Sequence, residues 1–127
     1  ATDTPDIAAS GIMNISQNQC RVILRKVSDS YAPLSGARFR IFRTDQTEVT
    51  DGQPTYAATD TIPEGKNVGD RKGYYESSAS GVYFVGVLPA GVYYLKETKA
   101  PSGVAVSNEG KVFMLRVSTD GTTTLTD

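Results

Sequence analysis

Val92-Tyr-Tyr-Leu-Lys-Glu-Thr98 is the stretch on which the fold turns. Side chains alternate across a strand, so Tyr93, Leu95 and Glu97 share one face and Lys96 takes the other. The face to be buried therefore carries a carboxylate. Cys20-Arg-Val-Ile-Leu-Arg-Lys26 repeats the pattern, with Cys20, Val22 and Leu24 in line with Lys26. Each strand sends one charge inward. A buried charge without a partner costs several kcal/mol, so Lys26 and Glu97 are expected to meet inside the protein.

Working outward, the same period recurs. Ala37, Phe39 and Ile41 alternate with Arg38 and Arg40. Gly81–Val87 runs into a turn at Leu88-Pro-Ala-Gly91 and so into the first stretch. Phe113, Leu115 and Val117 share a face of the strand expected over 111–117, and Asp120-Gly121 is a two-residue hairpin signal leading into 122–126. Residues 1–10 are small and polar and read as a flexible lead-in. Gly11–Ser16 reads as a short strand and 17–19 as a turn. Between 44 and 80 the pattern weakens into Gly, Pro, Asp, Thr and Ser, with 53–61 the best edge-strand candidate. Such a long insertion is a place for binding specificity. No segment has a helical period. The expected fold is all-β, an antiparallel β-sandwich with short strands.

The 127 residues suit one domain with a real core. A formal net charge of -1 supplies no basic footprint, which argues against nucleic acid and an anionic membrane as partners. No apolar run approaches the roughly 20 residues of a membrane span. The first residues lack the basic and apolar stretches of a secretion signal. The single cysteine, Cys20, lies on an apolar face and reads as a small buried hydrophobe. Histidine is absent, which removes the usual general base and the commonest metal ligand. No metal, no cofactor and no turnover chemistry are expected.

Longer motifs carry a resemblance. Lys26-Val27 with Pro33-Leu-Ser-Gly-Ala-Arg-Phe39, then Ser80-Gly81, then Val87 through Gly103, resemble the Cna protein B-type domains (SpaA-type, prealbumin-like) of Gram-positive pilins and adhesins. Their Tyr-x-Leu-x-Glu-Thr-x-Ala-Pro-x-Gly core, the E-box, is matched position by position from Tyr93 to Gly103. Val104 stands where an aromatic usually follows. The resemblance covers roughly 20–126 apart from the insertion, and it implies a prealbumin-like, reverse immunoglobulin-like sandwich on an extracellular protein of the cell surface or cell wall. The chain then divides into 1–19, a lead-in or the end of a preceding domain, and 20–127, the domain itself with insertion 44–80.

The resemblance also implies an intramolecular isopeptide bond. Lys26 falls on the position of the nucleophilic lysine and Glu97 on that of the assisting glutamate. The family's acceptor, an Asn or Asp, lies on a strand after the hairpin that Asp120-Gly121 forms. The sequence ends at Asp127, so the expectation is a domain lacking its final strand, with no acceptor carried over. An open edge recruits a strand, and 11–16 is the nearest, which makes Asn14 a candidate acceptor. Asn67 and Asn108 read as turn residues. Partners implied are flanking domains or pilin subunits, with a host protein or glycan as ligand. The Tyr-Pro-Lys polymerisation segment and the Leu-Pro-x-Thr-Gly sorting signal are not in this sequence, which favours a stalk, tip or ancillary module. The alternative is an adhesin domain that binds through 44–80, with Lys26 and Glu97 forming only a buried salt bridge. Tyr74, Tyr75, Tyr83, Tyr93 and Tyr94 read as strand packing before sugar-stacking groups.

Overall fold

The computed structural model describes residues 7–14, 18–104 and 107–126, the side chains of Ile7 and Asn14 excepted. Among these residues there is no helix. Nine strands follow in order: β1 (Ile7–Asn14), β2 (Gln19–Lys26), β3 (Arg38–Arg43), β4 (Glu48–Val49), β5 (Tyr75–Glu76), β6 (Val82–Pro89), β7 (Gly91–Lys99), β8 (Val112–Val117) and β9 (Thr123–Thr126). All pairings are antiparallel. One sheet has the order β1-β2-β6; the larger has β4-β3-β7-β8-β9, with β5 also on β3.

Alternation builds the core between the sheets. Cys20, Val22 and Leu24 of β2 face Phe39 and Ile41 of β3, Leu95 of β7, and Phe113 and Leu115 of β8, and none is more than 1% exposed. Cys20 is buried as its face required. β7 lies between β3 and β8, pairing Leu95 with Ile41 on one side and with Phe113 on the other. The E-box strand is thus interior to its sheet, and Glu97 near its end is carried into the core.

Two expectations change. Residues 7–10 are not a free lead-in: β1 pairs with β2 along its whole length, from Ile7 opposite Lys26 to Asn14 opposite Gln19. Its small residues hid it, because Ala8, Ala9, Ser10 and Gly11 give no alternation. They serve close approach. A Cβ on Gly11 would stand 2.5 Å from Cys20 Sγ and 2.6 Å from Thr123 Cγ2. Met13 packs against the core while Ile12 is 71% exposed, the facing that alternation gives to 11–14.

The second change concerns the insertion, where 53–61 forms no strand. Thr55 makes a single bridge to Arg71. Around it, Tyr56 N–H donates to Asp70 O (2.9 Å), Gly69 N–H to Tyr56 O (2.8 Å) and Lys72 N–H to Pro54 O (2.8 Å). The Asp60 carboxylate accepts Ala57 N–H at 2.7 Å and pairs with Lys72 Nζ at 3.4 Å. Tyr75 anchors the base, its hydroxyl donating to Asp51 O at 2.7 Å and Val49 O at 3.2 Å. Polar contacts organise this segment, and an apolar period cannot reveal them.

Candidate functional site

Lys26 closes β2. Its N–H donates to Gly81 O (2.8 Å) and its carbonyl accepts Leu34 N–H (3.0 Å), so its backbone is held from two loops. Gly81 is required here: its φ is +84°, and a Cβ would stand 2.5 Å from Lys26 O. Glu97 is fixed from the other sheet. Its N–H donates to Lys111 O (3.0 Å), its carbonyl accepts Gly110 N–H (2.6 Å), and Phe39 lies directly opposite on β3.

The two side chains meet across the sandwich. Lys26 Nζ lies 3.7 Å from Glu97 Oε1, and both side chains are 0% exposed. Phe39, the register partner of Glu97, stacks on Tyr83 with centroids 4.0 Å apart and planes 15° apart. Tyr83 Oη is buried and has no hydrogen-bond partner among the described residues. Burial, and then the Glu97 charge, push this phenol well above the ordinary tyrosine range. The pair is therefore enclosed beside the Phe39–Tyr83 stack, in surroundings where a charge is poorly solvated.

Sequence reading gives Tyr83 only as strand packing, and its place beside the charged pair was not legible because period-2 alternation fails at β6. The pairing shifts between Leu24 and Arg25, opposite Phe84 and Val82, so Tyr83 is the extra residue of a bulge. Tyr83 and Phe84 are consequently both buried. An interrupted alternation at 82–84 is the only signal available beforehand.

The asparagines fall elsewhere. Register places Asn14 opposite Gln19 while Lys26 is opposite Ile7, seven positions along the same hairpin. At about 3.3 Å per residue that is roughly 23 Å, well beyond the reach of a lysine side chain, so Asn14 does not serve Lys26 within this chain. The antiparallel direction of β1 is the cause: it brings the start of the strand to Lys26 and carries residue 14 away. Asn18 sits in the β1–β2 turn with φ 51°. Asn67 donates its N–H to the Asp70 carboxylate within the insertion. Asn108 forms the turn whose carbonyl accepts Lys111 N–H, the same turn that holds the Glu97 backbone. The tyrosines divide as well: Tyr75, Tyr83 and Tyr93 are core residues, whereas Tyr94 is 39% exposed. Arg38 lies over the Tyr74 ring, 4.2 Å from its centroid.

Among curated proteins none matches the chain. In structure it is similar to the backbone protein of the group B streptococcus pilus 2b, with a TM-score of 0.44 and 18% identity. The match covers 84% of this chain and 44% of that one, so the chain spans less than half of its neighbour. The family model of the SpaA prealbumin-like fold domain matches residues 20–127, which takes in β2 from its second residue through β9, with both Lys26 and Glu97. The chain therefore belongs to the SpaA prealbumin-like fold family.

Proposed function

We propose that this chain is a structural module of a pilus or adhesin on a Gram-positive cell surface, in which Lys26 and Glu97 form the centre of an autocatalytic isopeptide bond. The carrying observation is the pair itself, one charge from each sheet, 3.7 Å apart and wholly enclosed. Glu97 takes a proton from the Lys26 ammonium, leaving a neutral amine. The amine nitrogen attacks the side-chain carbonyl of an Asn or Asp supplied to the site. Protonated Glu97 donates to that carbonyl oxygen, and as the tetrahedral intermediate collapses it passes a proton to the leaving group while taking the second proton from the Lys26 nitrogen. With Asn, the C–N bond to the amide nitrogen breaks, a new C–N bond to Lys26 forms, and one ammonia departs; with Asp, one water departs. Enclosure supplies the proximity that an unreactive amide needs.

A bond made here would tie the end of β2 covalently to the strand that carries the acceptor, which suits a module that carries load between neighbouring pilin subunits. It is a single, self-directed event without turnover or cofactor. Intact mass measured on the parent and on Lys26→Met and Glu97→Ala tests the reading. No asparagine among the described residues stands at Lys26, so the parent alone is expected to keep its unreacted mass, as are both variants. An acceptor presented on a separate peptide strand should add to the parent and not to Lys26→Met. Full, unreacted mass in every case would leave a plain buried ion pair.

A further inference from the structure

The outer face of the larger sheet carries a second arrangement that the crosslinking reading does not use. Phe42, Tyr94 and Met114 lie side by side on β3, β7 and β8. One step along, Arg40 lies opposite Lys96, which lies opposite Val112. One step the other way, Arg116 lies opposite Val92. An apolar row containing two aromatic rings is thus bordered by cations on both sides. Phe42, Arg43, Tyr94, Lys96 and Val112 line a groove of about 450 Å³, in which Tyr94 is 39% and Val112 48% exposed.

The charges here are out of balance. Like charges directly opposite each other, as Arg40 and Lys96 are, destabilise a sheet unless an anion intervenes. Glu48 answers Arg40 through two hydrogen bonds of 3.1 and 2.7 Å. The Asp45 carboxylate is engaged by Thr47 through its N–H and its hydroxyl. Arg43 spends one nitrogen on Thr47 Oγ1 and Glu48 O. Lys96 and Arg116 have no ion pair among the described residues. Four cations therefore face two occupied carboxylates, on a chain whose formal net charge is -1.

We infer that this groove binds a carboxylated glycan: a sugar ring lies against Tyr94, beside the Phe42 ring that the Arg40 guanidinium covers at 5.0 Å, and its carboxylate meets Lys96 and Arg43. Aromatic faces supply apolar contact for a ring, and charge-assisted hydrogen bonds fix an anion beside it. An acidic peptide fits less well. β3, β7 and β8 are already paired to each other along the groove, so no open strand edge offers main-chain hydrogen bonds to an added strand.

The test uses the full chain and amide and side-chain NMR shifts. Hyaluronan hexasaccharide is the carboxylated probe, chitohexaose its neutral counterpart and poly-glutamate the peptide arm. Hyaluronan should produce saturable shifts at Phe42, Tyr94, Lys96 and Val112, with chitohexaose at least tenfold weaker. Tyr94→Ala should weaken hyaluronan binding about tenfold and Lys96→Glu by more, while Lys96→Glu, which removes the like charge opposite Arg40 at an exposed position, unfolds no earlier than the parent and remains informative if Tyr94→Ala folds poorly. No shift at these residues, equal binding of chitohexaose, tighter binding of poly-glutamate, or unchanged binding by Lys96→Glu would each overturn the inference.

Discussion

Lys26 and Glu97 approach from different sheets, so removing either one breaks a contact that spans the interior of the sandwich. Breaking a buried pair from one side costs on the order of 3–5 kcal/mol, and Glu97→Ala should lower the urea unfolding free energy by about that much. Replacing both at once, Lys26→Met with Glu97→Leu, should recover most of the loss, because no orphan charge remains. Parent-like stability in Glu97→Ala would show that the two charges are not coupled. Tyr83 behaves in the opposite sense. Its hydroxyl is buried without a partner among the described residues, so Tyr83→Phe keeps the Phe39 stack and removes an unmet polar group. The expected change is nil or a gain of about 1 kcal/mol in the same urea measurement. These residues also show what period-2 reading can reach. It found both charges, since each shares a face with apolar neighbours. It gave Tyr83 only as a packing residue and could not place it beside the pair, since a bulge turns it inward, nor could it give the remoteness of Asn14, which depends on the direction in which β1 pairs.

At the scale of elements, strands with a strong apolar face were legible within a residue or two, β3, β7 and β8 among them. β1 was legible only in part, because its small residues are there to let it approach. The insertion was not, since turns and carboxylate caps order it and those leave no period. β1 is also the element most open to a clean test. Gly11→Val places new atoms where Cys20 Sγ and Thr123 Cγ2 stand, 2.5 and 2.6 Å from a Cβ. Overpacking of this kind costs roughly 1–3 kcal/mol. The outcome expected in hydrogen exchange is local: amides that join β1 to β2 lose protection, while those between β7 and β8 keep theirs. Uniform loss across both sheets would mean that β1 is indispensable to the whole sandwich.

On the scale of the molecule, three tyrosines give the fold a shared response to pH. Tyr75, Tyr83 and Tyr93 are 1%, 5% and 5% exposed, and burial raises all three phenols, with the charge of Asp51 adding to the rise at Tyr75 and that of Glu97 at Tyr83. The unfolded chain releases these protons near pH 10, whereas the folded chain retains them. Above that pH the folded state binds more protons than the unfolded one, so stability falls as pH rises; below it the contribution is fully present. Each retained proton is worth about 1.4 kcal/mol per pH unit. The folded protein should therefore be insensitive to these groups below pH 9 and lose stability steeply from about pH 10, with phenolate absorbance from the buried tyrosines appearing at the unfolding step. Tyr83→Phe should reduce the slope and move the alkaline midpoint upward. An unchanged slope would mean that Tyr83 titrates in the folded state, which its enclosure beside Phe39 and Glu97 argues against.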